Sequence, residues 1–310
     1  MPNSREISNA AELLRDGGLV AFPTETVYGL GADATSDAAV ARIFAAKARP
    51  QFNPLISHMA DIEAALALGV FPKQAEMLAR KFWPGPLTLV VKRRRDCPVS
   101  LLASAGLESI ALRVPDHEVA LALLAEVARP VAAPSANRSG RISPTTAEHV
   151  RQSFGVEVDL VLDGGPCAVG LESTVVQFLD GSARLLRKGG LARSVLEQGM
   201  GNKINDVESG APLHGPGQLE SHYAPLAGLR LNALAPFLGE AYVGFGGFDG
   251  GDFSLSPSGD LREAAANLFR ILHEVDALEP AMIAVAPIPD TGLGEAINDR
   301  LRRAAAPRPT

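Results

Sequence analysis

Apolar positions in the first two thirds of the chain come in short runs that stop at proline, glycine or charge. "GLVAFPT" (18–24) is one, and reads as a buried strand that enters a loop at Pro23. "SDAAVARIFAAKAR" (36–49) changes to the helical period, with Val40, Ile43, Phe44 and Lys47 on one face and Ser36 or Asp37 as cap. "PLIS" predicts a short strand, and helices are predicted over 61–68, 73–82 and 116–128. "LTLVVKR" (87–93) and "SIALRVP" (109–115) predict strands, as do "PVAAPSA", "DLVLDGG", "STVVQFL" and "ARLLRKG". Several strands follow one another directly, so an α/β or α+β domain on a mixed sheet is expected, not a clean series of β-α-β units.

The pattern breaks over 200–225, where Gly, Pro, Asn and Ser replace periodic apolar positions. Beyond it, strands are predicted over 229–234, 241–246 and 281–286. "DLREAAANLFRILHEVDA" (260–277) is strongly amphipathic, with Leu261, Ala264, Ala265, Leu268, Leu272 and Val275 on one face. A last helix is predicted at 292–304. Strand–helix–strand–helix over this tail reads as a small Rossmann-like domain. The expected organisation is a first domain over 1–199, a linker over 200–227 and a second domain over 228–310.

Composition narrows the class. The 310 residues carry a formal net charge of −6, which argues against tight non-specific nucleic-acid binding. Cys97 and Cys167 form no C-x-x-C pair, so a reduced, cytoplasmic protein is expected. No apolar run reaches the roughly 18 residues of a membrane span, and the start of the chain lacks the pattern of a secretory signal.

Familiar nucleotide fingerprints are missing. There is no Gly-Lys pair for a Walker loop and no G-x-S-x-G elbow, and "GFGGFDGG" (244–251) lacks dinucleotide spacing. The histidines show no metal-ligand spacing. What stands out is polar residues at strand ends. "PTETVYGL" (23–30) puts hydroxyls and a carboxylate after a buried strand, although a turn or helix cap would account for it equally. "KARPQFNPLISH" (47–58) supplies Lys47, Arg49, Asn53 and His58; the two cations suit either a helix C-terminus or a polyphosphate. "APSANRSGRISPT" (133–145) holds Ser135, Asn137, Ser139 and Ser143, and an ordinary turn-rich loop is its other reading. Arg113 ends an apolar strand, where a guanidinium is costly unless paired. Ser173 in "LEST" and Arg187 in "LLRKGG" share that setting. Together they predict a polar cavity for an anionic ligand at the strand ends. "KRRR" (92–95) reads as a solvated strand end, and Cys167 as a small turn residue.

These stretches, with "WPGPLTLV", "ALRVPDH", "LDGG" and "GLESTVV", stand in the order found in the YrdC-like threonylcarbamoyl-adenylate synthases, and residues 8–195 resemble that family. "GPGQLESHYAP" is similar to the interdomain linker of its long form, and "GLGEAINDRLRRAA" (292–305) to the end of the long form's second domain. The resemblance implies a YrdC-like twisted mixed sheet with a central cavity, plus a small C-terminal Rossmann-like α/β domain. It implies a nucleotidyltransferase that makes threonylcarbamoyl-adenylate and pyrophosphate from L-threonine, bicarbonate and ATP, with Mg2+ bound on the ATP. The product would serve tRNA modification through a downstream transferase machinery. In that scheme Lys47 and Arg49 are catalytic, and with Asn53 they meet the phosphates. Thr26, His58, Arg113, Ala133 and Ser173 hold threonine or its carbamate, with Arg113 forming a two-pronged pair to the carboxylate. Ser109, Ser135, Asn137, Ser143, Arg187 and Tyr223 serve the nucleotide side. The linker becomes a lid closed by His222 and Tyr223; simple packing of Tyr223 against the second domain is the alternative. Three departures stand out: Ala48 replaces a common glycine, Gln218 to Ser221 replace a common basic residue, and the second domain is short for the long form. A non-catalytic RNA-binding module on the same fold is the rival reading, and the negative charge weighs against it.

Overall fold

Strands that are apolar on both faces need cover on both faces, and that requirement organises the first domain. The computed structural model describes residues 1–179, 181–207, 221–248, 251 and 253–307. Among them the larger sheet is built from β1 (Val20–Phe22), β2 (Gly29–Asp33), β3 (Ile56–His58), β4 (Gly69–Val70), β5 (Leu87–Arg93), β6 (Ser109–Arg113), β7 (Val131–Ala132), β8 (Leu160–Val161), β9 (Thr174–Leu179), β10 (Ser182–Arg187) and β11 (Asn205–Asp206). Their spatial order is β11-β10-β9-β5-β6-β3-β7-β2-β1-β8, with β4 beside β5. Parallel pairs (β3 with β6, β5 with β9) alternate with antiparallel ones (β5 with β6, β9 with β10), so the sheet is mixed as expected.

Seven helices described in this domain are α1 (Ser4–Arg15), α2 (Asp37–Lys47), α3 (Ile62–Leu66), α4 (Lys73–Phe82), α5 (Glu118–Val127), α6 (Ala147–Phe154) and α7 (Arg193–Met200). Ser36 caps α2 by accepting from the Ala39 N–H, as predicted. Three helices, α1, α6 and α7, were not anticipated, nor was β2. The "GLGAD" of β2 looks like a loop because of its glycines. A Cβ on Gly31 would lie 2.8 Å from the Phe22 ring, so close strand packing requires the glycine there.

Side chains alternate across the sheet. Ile110 and Leu112 of β6 enter the main core, while Ala111 faces the other way and joins Ile56, Val90, Val175 and Leu186 in a small apolar floor. The cavity stands above that floor.

The second domain holds β12 (Gly228–Arg230), β13 (Glu240–Gly244), β14 (Phe253–Ser254), α8 (Leu261–Asp276), β15 (Met282–Val285) and α9 (Gly294–Ala305). Its sheet runs β12-β15-β13-β14 with every pair parallel, consistent with a Rossmann-like arrangement. Asp260 caps α8 by accepting from the N–H groups of Arg262 and Glu263. The second core is not confined to that domain: Val27, Ile142 and Leu171 of the first domain pack into it with Tyr223 and Phe269. His149 of α6 stacks on His273 of α8 with ring centres 3.8 Å apart. Of the expected lid over 200–227, residues 208–220 lie outside the described residues, as does part of "GFGGFDGG".

Candidate active site

Arg113 and His58 end the neighbouring strands β6 and β3, paired in register, and so point from adjacent positions. Both line the same cavity. Thr26, Arg49, Ala133, Ser135, Ser173, Arg187 and Tyr223 line it too, together with His222. The cavity therefore gathers residues from six separate stretches of the first domain and from the end of the linker.

Arg187 arrives by a device that residue spacing does not reveal. Strict alternation would send it to the same face as Leu185, into the core. A β-bulge between Leu185 and Arg187 shifts the register and turns Arg187 onto the cavity side. There its Nε donates to the Ser173 carbonyl at 3.0 Å and its Nη2 to Ser173 Oγ at 3.1 Å. Ser173 Oγ also bonds Thr88 Oγ1 at 2.7 Å.

Arg49 follows α2, whose last turn ends at Ala48 in the left-handed conformation (φ 49). That conformation explains why glycine suits position 48, and alanine adopts it at a modest cost. Arg49 then donates to the Asn53 carbonyl at 3.2 Å and the Pro54 carbonyl at 3.1 Å. Neither Arg49 nor Arg187 has an ion-pair partner among the described residues. Burial lowers the pKa of both, with Arg187 acting on Arg49, which is left at about 10. Two buried cations that repel each other are a standing attraction for an anion.

Lys47 is buried beneath this wall. Its ammonium donates to the Ser135 carbonyl at 2.5 Å and to the Asn137 carbonyl, tying α2 to the 133–145 loop. Burial, then Arg49, pushes its pKa well down. It is not among the lining residues, and neither are Asn53, Ser109, Asn137 or Ser143. Ser109 shares the face of Ala111 and Arg113 but sits at the opposite end of β6. Ser143 acts one step back, donating from Oγ to Glu172 Oε1 at 2.6 Å.

Arg113 is already partly engaged: Nε donates to the Gly85 carbonyl at 3.3 Å and Nη2 to Thr26 Oγ1 at 2.9 Å. Glu25 Oε2 lies 2.8 Å from the same Nη2 as an ion pair, yet neither Glu25 oxygen is aligned to accept a hydrogen bond. The two-pronged carboxylate pair expected of Arg113 would therefore need one of those bonds released, or would fall on Nη1. His58 is buried, and burial followed by Arg113 drops its pKa to about 3, so its ring is neutral near pH 7.

Three buried polar atoms of lining residues have no hydrogen-bond partner: His58 Nδ1, His222 Nδ1 and Tyr223 Oη. Buried polar atoms are nearly always satisfied, so this concentration marks a place shaped for a polar guest. Tyr223 sits at φ 65, in the left-handed region that a non-glycine residue occupies only under constraint. Its ring stacks on Phe269 of α8 with centres 5.5 Å apart, while it also lines the cavity. Packing against the second domain and facing the site are thus both true of it. Sequence reasoning noted the Glu25 carboxylate without giving it a role, and missed Glu172 and Arg300, although both stand inside quoted motifs.

Two family models cover most of the chain. Residues 12–189 match the family described as "Telomere recombination" (Sua5, YciO, YrdC), and residues 190–306 match "Threonylcarbamoyl-AMP synthase, C-terminal domain". The chain is 40% identical to the threonylcarbamoyl-AMP synthase of Pyrococcus abyssi over 98% of its own length and 95% of the relative's. It is also 40% identical to the enzyme of that name from Bacillus subtilis, over 99% and 94%. The crystal structure of P. abyssi Sua5 complexed with L-threonine superposes with a TM-score of 0.91 and 38% identity, covering 98% of this chain and 95% of that one.

Proposed function

Since the chain belongs to the threonylcarbamoyl-AMP synthase family, we propose that its cavity joins L-threonine, bicarbonate and ATP into threonylcarbamoyl-adenylate and pyrophosphate. The neutral threonine amine adds to the carbon of bicarbonate with loss of water, or to CO2 with loss of a proton to solvent, and forms a carbamate. A carbamate oxygen then attacks the α-phosphorus, and the bond to the β-phosphate oxygen breaks as pyrophosphate leaves. Little covalent work falls to the protein; positioning and charge stabilisation dominate.

One observation carries this reading: two buried guanidinium groups without ion-pair partners among the described residues, Arg49 and Arg187, line one cavity together with Arg113, Thr26 and His58. The first pair suits a polyphosphate, and Arg113 suits the threonine carboxylate. Lys47 supports the phosphate side from beneath, and Asn53, Ser109, Ser135, Asn137, Ser143 and Tyr223 serve the nucleotide. Ala133 and Ser173 border the threonine, and Thr26 with Ser173 reads its hydroxyl. Neutral His58 acts as a hydrogen-bond partner, since a ring that titrates near 3 is too weak a base for the amine. Magnesium enters on the ATP as part of that substrate. Among the described residues no cluster of carboxylates, histidines or cysteines is placed to hold a metal, and cavity donors of this kind fit an ion held by phosphate oxygens. The product feeds tRNA modification in the cytoplasm. No helix among the described residues is long and apolar enough to cross a membrane. A module that only bound RNA would have no use for arginines buried in a cavity instead of displayed on a surface.

The test is pyrophosphate release by the purified protein. It should require threonine and bicarbonate together with ATP. Equal release without threonine would assign the cavity to another nucleotide reaction.

A further inference from the structure

Among the fully buried side chains, Arg300 is one of the largest, and it belongs to α9 of the second domain. A guanidinium without solvent must spend its donors on protein acceptors. Its Nε donates to Glu172 Oε2 at 2.9 Å, and its Nη2 to the Lys188 carbonyl at 2.8 Å. Nη1 pairs with Asp299 at 2.7 Å, and the guanidinium carbon lies 5.1 Å from the centre of the Tyr223 ring. Every one of these contacts except Asp299 lies in the first domain or the linker.

Glu172 is a carboxylate in the cavity lining, beside the cations that would receive phosphate. Burial alone would raise its pKa, but Arg300 and Arg187, with the Ser143 hydroxyl, hold it down at about 2, so it is charged. Its two oxygens are divided between Arg300 and Ser143.

We propose that Arg300 is a positioning residue for this site: reaching across from the second domain, it neutralises and fixes Glu172, leaves Arg187 free for phosphate, and seats Tyr223 at the cavity. The inference rests on the reading of the cavity as the ATP site. Without Arg300 the nearest cation for Glu172 is Arg187, which would be drawn away from the nucleotide, and the uncompensated carboxylate would repel the polyphosphate. The threonine side has its own charge balance, since Arg113 is paired with Glu25. The second domain is thereby a working part of the site, not an appendage.

The experiment is calorimetric titration of the full chain with MgATP and, separately, with L-threonine. Arg300→Met keeps the buried stem and removes the charge; it should weaken MgATP binding at least about tenfold while threonine affinity stays within about threefold. Arg300→Lys, which keeps the charge, should stay closer to wild type than Arg300→Met. Adding Glu172→Gln to Arg300→Met should recover most of the lost MgATP affinity, because the uncompensated carboxylate is gone. A folded Arg300→Met protein that binds MgATP like wild type overturns the proposal, as does a loss that Glu172→Gln leaves untouched, which is the signature of packing alone. Should Arg300→Met not fold, the double variant decides: it must fold and bind MgATP within about threefold of wild type, and failure overturns the idea. A wild-type protein that does not bind MgATP refutes the reading of the site itself, a result separate from either.

Discussion

Tyr223 carries both strain and an unmet hydrogen bond. Its hydroxyl is buried and unpartnered while its backbone sits in the left-handed region, a combination that is costly in the free protein and recovered on binding a ligand. Tyr223→Phe keeps the stack on Phe269 and removes the unsatisfied group. The ligand-free variant is expected to be more stable by about 1 kcal/mol, and to bind ATP several-fold more weakly. Thermal melting and titration read the two effects, and a lower melting temperature in the ligand-free variant would mean that the hydroxyl is satisfied after all. Residue identities of this kind were legible through the family resemblance of the motifs, because a turn, a cap or a helix end would account for each polar stretch taken alone. Arg300 was not legible: nothing in "NDRLRRAA" separates it from Arg302 and Arg303, and its distinction is the buried carboxylate it meets 128 positions away.

Elements were legible where one period dominates. The helix predicted over 36–49 is found as Asp37–Lys47, and that over 260–277 as Leu261–Asp276. The β10 bulge escaped because its one extra residue leaves the apolar pattern intact. The contact between the domains has a comparable device at Gly170 (φ 70). A Cβ there would stand 2.5 Å from the Ala265 carbonyl oxygen and 2.6 Å from the Ala266 Cα, both backbone atoms of α8 that cannot swing aside. Gly170→Ala thus meets a conformational penalty and a clash together. The expected result is a fall in stability of about 2 kcal/mol or more, with weakened MgATP binding, because α8 carries Phe269 against Tyr223. Unchanged melting would show that the two domains adjust freely at this contact.

The whole molecule should be sensitive to acid. Burial lowers the pKa of His58 and His222 to about 3 and that of His149 and His273 to about 4. All four are neutral in the fold, so they cost nothing above the unfolded value near 6.5. As the pH falls below it, the unfolded chain takes up protons that the fold refuses, and stability drops until the folded values are reached. At pH 5 the fully buried pair, His58 and His222, would remove about 2 kcal/mol each. Glu172 adds to the loss at lower pH, between its ordinary range and about 2. The melting temperature is expected to be lower at pH 5 than at pH 7.5 by about 5 °C or more, and equal values would contradict the burial of these rings. The proposed reaction can be read from one labelling experiment. The protein is given ATP, L-threonine and carbon-13 bicarbonate, and the nucleotide product is weighed by mass spectrometry. The expected product is a threonine–AMP adduct that contains a single labelled carbon, with one pyrophosphate released per adduct. An unlabelled adduct, in which the threonine carboxylate itself had attacked the phosphorus, would contradict it.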